Sequence, residues 1–437
     1  MHLLPQVLFI IILATAIWLF TKNIIKIRSN IFLGIKEDLS DNPAQRWKNL
    51  LLLAFGQKKM FKNTLVAVLH FVIYAGFIII NIEVLEIVLD GVFGTHRLFF
   101  PFLGGFYTFL INFFEILAFG VLAVCVVFLS RRNVVKLKRF ISKDLNGWPR
   151  TDANYILIAE IILMGLFLTM NATDRALQIQ GSEHYHDAGN FVISGLMAPL
   201  FDGLSPATLM TIERTCWWIH IVGILAFLNY LPYSKHLHIV LAFPNTYYGR
   251  LPVQGKMANM ETVQNEVKYM MQPELAPAGD AAVMKFGAKD VFDLSWKNLL
   301  DAYSCTECGR CSAACPANIT GKLLSPRKIM MDTRDRLTEV GKNITANGEF
   351  KDDGKTLVKN YITVEELRAC TTCNACVEEC PVSISPLDII IQLRRSLIME
   401  DSNAPQEWNG MFSNIENNFA PWKFSPDDRD KWAKEMQ

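Results

Sequence analysis

Apolar residues are spread unevenly along these 437 residues. Five stretches, approximately Leu4–Ile25, Thr64–Val88, Phe106–Leu129, Tyr155–Asn171 and Trp217–Leu241, are long and apolar enough to cross roughly 30 Å of hydrocarbon as helices. From about Phe243 to Lys297 sustained periodicity is lost and Pro244, Pro252, Pro273 and Pro277 interrupt the chain, which suits a connector along the membrane face. Helical spacing returns over Lys322–Leu337 and Pro386–Met399, with a short helix over Thr363–Arg368 and a polar turn over Asn347–Gly354. No stretch alternates as a strand would. The pattern predicts an all-α protein in three parts: a five-helix transmembrane domain over 1–242, a connector over 243–297 and a helical domain over 298–437.

Charge gives the helices a direction. The loop between the first two stretches carries Lys22, Lys26, Arg28, Lys36, Arg46, Lys48, Lys58, Lys59 and Lys62, and the loop between the third and fourth carries Arg131, Arg132, Lys136, Lys138, Arg139, Lys143 and Arg150. The other two loops hold little beyond Arg97, Arg175 and Arg214. The positive-inside rule therefore puts the amino terminus outside and everything after the fifth helix in the cytoplasm. Ala14-Thr15-Ala16 imitates a signal-peptidase site, yet no Lys or Arg precedes the first apolar run, so it reads as an uncleaved helix. A net charge of only +1 gives no sign of nucleic-acid binding.

The chemistry announces itself in cysteine spacing. Cys305, Cys308, Cys311 and Cys315-Pro316 form one run, and Cys370, Cys373, Cys376 and Cys380-Pro381 repeat it. Thiolates are the soft ligands an iron–sulfur cubane needs, three at i, i+3 and i+6 can wrap three corners, and the fourth, before Pro, serves the other cluster. That rule assigns Cys305, Cys308, Cys311 and Cys380 to one [4Fe–4S] cluster and Cys370, Cys373, Cys376 and Cys315 to the other. Zinc, which usually takes paired C-x-x-C units, is the alternative. Disulfides would need an oxidising compartment, against the cytoplasmic placement. Cys125 and Cys216 stand alone as packing residues.

His70, about two turns inside the second stretch, and His238, about one turn inside the fifth, share a depth near the cytoplasmic face. Neutral imidazoles on facing helices can hold a haem iron from both sides. Interfacial histidines bonded to backbone or headgroups are the alternative, and the adjoining cysteine runs favour haem. His220, 18 residues before His238, would lie roughly 27 Å away on the same face of a continuous helix. A second haem there would find Ile80 in place of a second-helix ligand, or would draw on His96, His184 or His186. Glu83 and Glu115 lie at a membrane depth where an unpaired charge costs at least ~2.5 kcal/mol. They are candidates for handling protons at a quinone, whereas Glu86 and Glu160 read as interfacial.

The segment Leu231-Pro232-Tyr233-Ser234-Lys235-His236-Leu237-His238, with His220 before it, resembles the haem-bearing membrane subunit of respiratory nitrate reductases. That resemblance implies His238 and His220 as ligands of two b haems and His70 as the inner partner of His238; Ile80 departs from the family pattern. Trp296 through Cys311 and the tail Asn414 to Trp422 resemble heterodisulfide-reductase-type iron–sulfur oxidoreductases. The fusion is similar to bacterial membrane proteins that pass electrons from an electron-transfer flavoprotein to menaquinone. In those relatives a domain rich in Cys-Cys-Gly motifs usually follows, which implies a separate iron–sulfur subunit here. The resemblance thus implies an oxidoreductase subunit of the bacterial inner (cytoplasmic) membrane with two [4Fe–4S] clusters and haem b. The other readings are a redox-sensing or structural subunit, and a subunit of a lactate, glycolate or disulfide oxidoreductase.

Overall fold

A computed structural model describes residues 3–251, 255–276 and 285–436; Pro252 and Pro277, used above to mark the connector, lie outside the described residues. Helices Leu3–Ile31, Thr64–Phe93, Gly105–Asn133, Trp148–Ile179 and Pro206–Tyr230 form the apolar half. All five have the length and hydropathy to cross a membrane. Local chemistry sets their ends. Asn63 caps the second helix by accepting from the Val66 amide, and Gly94, at φ 69°, closes it in the left-handed conformation. Ser205 caps the fifth ahead of Pro206. The fourth helix sits between the third and fifth, and the first packs on the second and fifth. Ile111, Phe114, Ala118, Phe167, Leu168 and Ile221 fill the space among them.

The first four spans contain the stretches predicted for them, but the fifth is displaced toward the amino terminus. It begins at Pro206 rather than Trp217 because its charged positions, Glu213 and Arg214, pair with each other, so the helix carries both. It ends at Tyr230 because Pro232 cannot continue the backbone ladder. Two single turns, Leu231–Tyr233 and Lys235–Leu237, then lead into a separate helix, His238–Tyr247. His238 therefore opens a new helix instead of riding one turn inside the fifth span. The unbroken five-turn line from His220 to His238 does not exist.

The cysteine-bearing part is also helical, and among the described residues the only β-type pairings are two isolated bridges. Its main helices are Trp296–Tyr303, Pro326–Asn347 and Pro386–Met399. The second continues past its predicted end at Leu337 up to the start of the expected polar turn at Asn347, with Arg336 and Val340 buried along it. One apolar core crosses the predicted domain boundaries: Ile27, Ile31, Leu231, Leu237 and Ala242 pack with Leu299, Leu300, Met330 and Leu337. Polar ties reinforce it. Asn30 Nδ2 donates to Tyr303 Oη at 2.9 Å, the Ile35 amide to Leu294 O at 2.8 Å, and Trp296 Nε1 to Glu37 O at 2.8 Å.

Gly287 shows how tightly the helical part closes. At φ 77° it places the position of a β-carbon 2.3 Å from Gln392 O. Gly287→Ala should cost more than about 1 kcal/mol in strain alone, seen as a lower urea midpoint for the cluster domain.

Candidate functional site

The two cysteine runs fold as copies of one loop. Left-handed residues fall at the same places in each: Glu307 (φ 53°) and Gly309 (φ 73°) in the first, Thr372 (φ 55°) and Asn374 (φ 63°) in the second. These turns lead into short helices, Arg310–Ala314 and Ala375–Glu379, which pack on one another. Each run then ends at a Cys-Pro step. A β-carbon at Gly309 would sit 2.5 Å from Arg327 Nη1, so a larger residue there would have to displace that buried guanidinium.

The fourth cysteine of each run crosses over. Cys305, Cys308, Cys311 and Cys380 line one small pocket. The thiol neighbours of Cys376 are Cys370, Cys315 and Cys373. Burial pushes the Cys305, Cys376 and Cys380 thiols up to about 12, so they require a positive centre to ionise. Amides already point at sulfur: Ile384 N–H to Cys380 Sγ at 3.3 Å and Thr372 N–H to Cys370 Sγ at 3.4 Å. The two sets differ in surroundings. Cys373 is exposed, with Thr371 and Thr372 exposed beside it, whereas Cys305 is buried.

Cys308 also borders a second space, a cavity of about 500 Å³ that reaches into the helical bundle. His70, His236 and His238 all line it, as do Arg131, Arg132 and Arg139 near its mouth. His238 Nδ1 donates to Lys235 O at 3.1 Å, and His70 Nδ1 to Gln57 Oε1 at 3.0 Å. Carbonyl oxygens only accept, so each proton sits on Nδ1 and each Nε2 keeps its lone pair, as in metal-bound imidazoles. Burial pushes His236 down to about 3, with the nearby His238 and His70 acting in the same direction, and burial also lowers His238. Sequence reasoning missed His236; its signal was the His-x-His doublet after Pro232. His220 lies apart, donating Nδ1–H to Leu163 O at 3.0 Å beside the Phe167 ring, and does not line the cavity.

Lys235 joins the two spaces. Its ammonium pairs with Glu307, the residue before Cys308, while Arg334 Nη1 holds the other carboxylate oxygen at 2.8 Å. Asp152, itself buried, accepts from the Lys235 amide at 3.1 Å and from Ser234 Oγ at 2.7 Å. Burial works to raise the Glu307 carboxyl, but Arg334 and Lys235 outweigh it and hold it below the ordinary value. The basic loops meet the cluster domain at further points. Arg327, fully buried, forks onto Asp144 at 2.7 and 3.0 Å, and Arg310 Nη1 donates to Lys59 O at 3.0 Å.

The membrane carboxylates redistribute. Glu115 is an anchor for the outer loop, accepting from the Ile193 and Ser194 amides at 2.9 and 3.2 Å and from Asn171 Nδ2 at 3.2 Å. It has no capacity left for proton handling at a quinone. Glu86 is buried, not interfacial, and accepts from Phe99 N at 2.8 Å and Tyr107 Oη at 2.7 Å. Glu83 Oε2 is buried without a hydrogen-bond partner among the described residues. Glu160, expected at the interface, lines the cavity.

Comparison with known proteins fits the cysteine chemistry. A family described as "4Fe-4S dicluster domain" matches residues 304–384. The chain is 28% identical to the "Probable iron-sulfur-binding oxidoreductase FadF" of Bacillus subtilis, over 98% of this chain and 60% of that protein. It is 25% identical to the "EtfAB:quinone oxidoreductase" of Syntrophomonas wolfei, over 91% of this chain and 55% of that protein. Over 24% of its length it is 34% identical to one subunit of a CoB-CoM heterodisulfide reductase of Methanosarcina acetivorans, covering 53% of that protein. These homologues are named as oxidoreductases or as part of a reductase, and the chain spans 60% or less of each. No solved structure matches it.

The Glu307 network gives a direct test. Glu307→Gln removes the carboxylate that Lys235 and Arg334, both largely buried, share, leaving them only Asp152 at 3.8 Å and Asp335 at 3.3 Å. Breaking such a group costs about 3–5 kcal/mol, which a urea titration followed by circular dichroism should register as a lowered midpoint.

Proposed function

We propose that this chain is a membrane electron-transfer subunit that connects a cytoplasmic redox protein to a membrane quinone through two [4Fe–4S] clusters and one haem b. One observation carries the reading: Cys308 lines both the pocket of four crossed thiols and the cavity that holds His70 and His238. A cluster on Cys305, Cys308, Cys311 and Cys380 would therefore border a haem held by those two imidazoles. The second cluster, on Cys370, Cys373, Cys376 and Cys315, has its exposed Cys373 toward solvent and suits receipt of electrons from a partner.

The residues present suit a haem. Two histidines have Nδ1 engaged and Nε2 free, the cavity is mainly apolar, and arginines at its mouth can neutralise carboxylate substituents. Bound there, haem would supply a one-electron centre between the clusters and the bilayer. His220 pairs with no second imidazole among the described residues and has no part in this wire. The loops rich in Lys and Arg are the ones that touch the cluster domain, which supports placing that domain in the cytoplasm of a bacterial inner membrane. The relative named for EtfAB and quinone supports an electron-transfer flavoprotein as donor and menaquinone as acceptor. A Cys-Cys-Gly iron–sulfur subunit is the other donor that the resemblance suggests.

Spectroscopy of the purified protein tests both assignments. His70→Ala and His238→Ala should each abolish the haem Soret band, while His220→Ala should keep it; loss only in His220→Ala would reverse the assignment. Cys380→Ala should remove the cluster of the first run and Cys315→Ala that of the second, read by electron paramagnetic resonance of the reduced protein.

A further inference from the structure

The cavity is longer than a haem needs. Along the second span its lining runs from His70 to Val84, through Tyr74, Phe77 and Asn81, roughly 21 Å of helix. A macrocycle carries its iron at its centre, so ligation by His70 fills only the near part of that run. The far part is apolar, walled by Val121, Leu163, Met164 and Ile224. One carboxylic acid faces it. Glu160 stands twelve residues into the fourth span and His70 six into the second, which puts Glu160 roughly 9 Å deeper. Among the described residues it has no hydrogen-bond or ion-pair partner, unlike Glu86 and Glu115, and its neighbour across the cavity wall is Cys125. A carboxylate is costly at such depth, and here no protein contact offsets it.

We propose that the far part of this cavity is the quinone site and that Glu160 exchanges protons with the bound headgroup. This deepens the electron-transfer reading and rests on it. An apolar slot at mid-membrane depth suits an isoprenoid ring and tail, and a lone carboxyl suits a quinone oxygen, which accepts a hydrogen bond when oxidised and donates one when reduced. Tyr74, whose hydroxyl also lacks a partner among the described residues, offers a second contact. The balance is simple. Quinone takes up two electrons and two protons to give quinol. A haem bound at His70 and His238 would supply the electrons one at a time. For each one, the Glu160 O–H bond breaks as a quinone O–H bond forms, and the carboxylate regains a proton from water at the inner face. Quinol oxidation runs the same steps backward.

The experiment uses the full chain in phospholipid vesicles. Protein reduced with dithionite and freed of excess reductant is mixed with a short-chain menaquinone, and oxidation of haem and clusters is followed by absorbance. Glu160→Gln should keep the haem and cluster spectra of the wild type yet oxidise at least about 100-fold more slowly. Glu160→Asp should recover part of the rate, and the pH dependence of the wild-type rate should vanish in the Gln variant. Glu160→Gln oxidising within twofold of wild type, with an unchanged pH profile, overturns the assignment of Glu160 alone. Wild-type protein whose centres menaquinone does not oxidise overturns the quinone reading as a whole.

Discussion

Everything the molecule is proposed to do depends on the ion group of Lys235, Glu307 and Arg334. Lys235 leaves the end of the fifth span, and Glu307 lies inside the first cysteine loop. The same lysine accepts the His238 Nδ1–H on its carbonyl and is fixed through its amide by Asp152. A single residue thus sets the aim of an imidazole and the position of a cluster loop. Buried charges are a poor source of net stability, because desolvation offsets much of their attraction. What they supply here is registry: the three side chains tie the end of the fifth span to the first cysteine loop.

Arg327 and Arg310 act in the same sense on either side. Arg327 lies against Gly309, where a β-carbon would push on its guanidinium, and reaches the loop between the third and fourth spans through Asp144. Arg310 grips the backbone just before the second span. The loops whose positive residues orient a membrane protein by their number are, at these points, also structural contacts of the cluster domain.

Much of this was legible in sequence, for physical reasons that differ by element. The first four spans announce themselves because hydrocarbon thickness demands a long apolar run, and the cysteine loops because a cubane fixes ligand spacing. The fifth span was misplaced because hydropathy counts Glu213 and Arg214 as polar without knowing that they pair. His236 and the Lys235 network were invisible because their meaning lies in contacts across 72 residues of chain, from Lys235 to Glu307. The carboxylates divided similarly. By position along the chain Glu115 reads as the proton-handling candidate and Glu160 as interfacial, and only the donors around Glu115 separate the anchor from the acid that has none among the described residues.

The shared core of Ile27, Ile31, Leu231 and Ala242 with Leu299, Met330 and Leu337 leaves no hinge, among the described residues, between the long apolar helices and the cluster domain. Many redox proteins move electrons by swinging a domain between two docking positions, and their turnover then slows with solvent viscosity. A molecule welded in this way has fixed gaps between its centres. On the proposed reading, its internal transfer would be a matter of distance and driving force, and the diffusing parts would be the partner on one side and the quinone on the other.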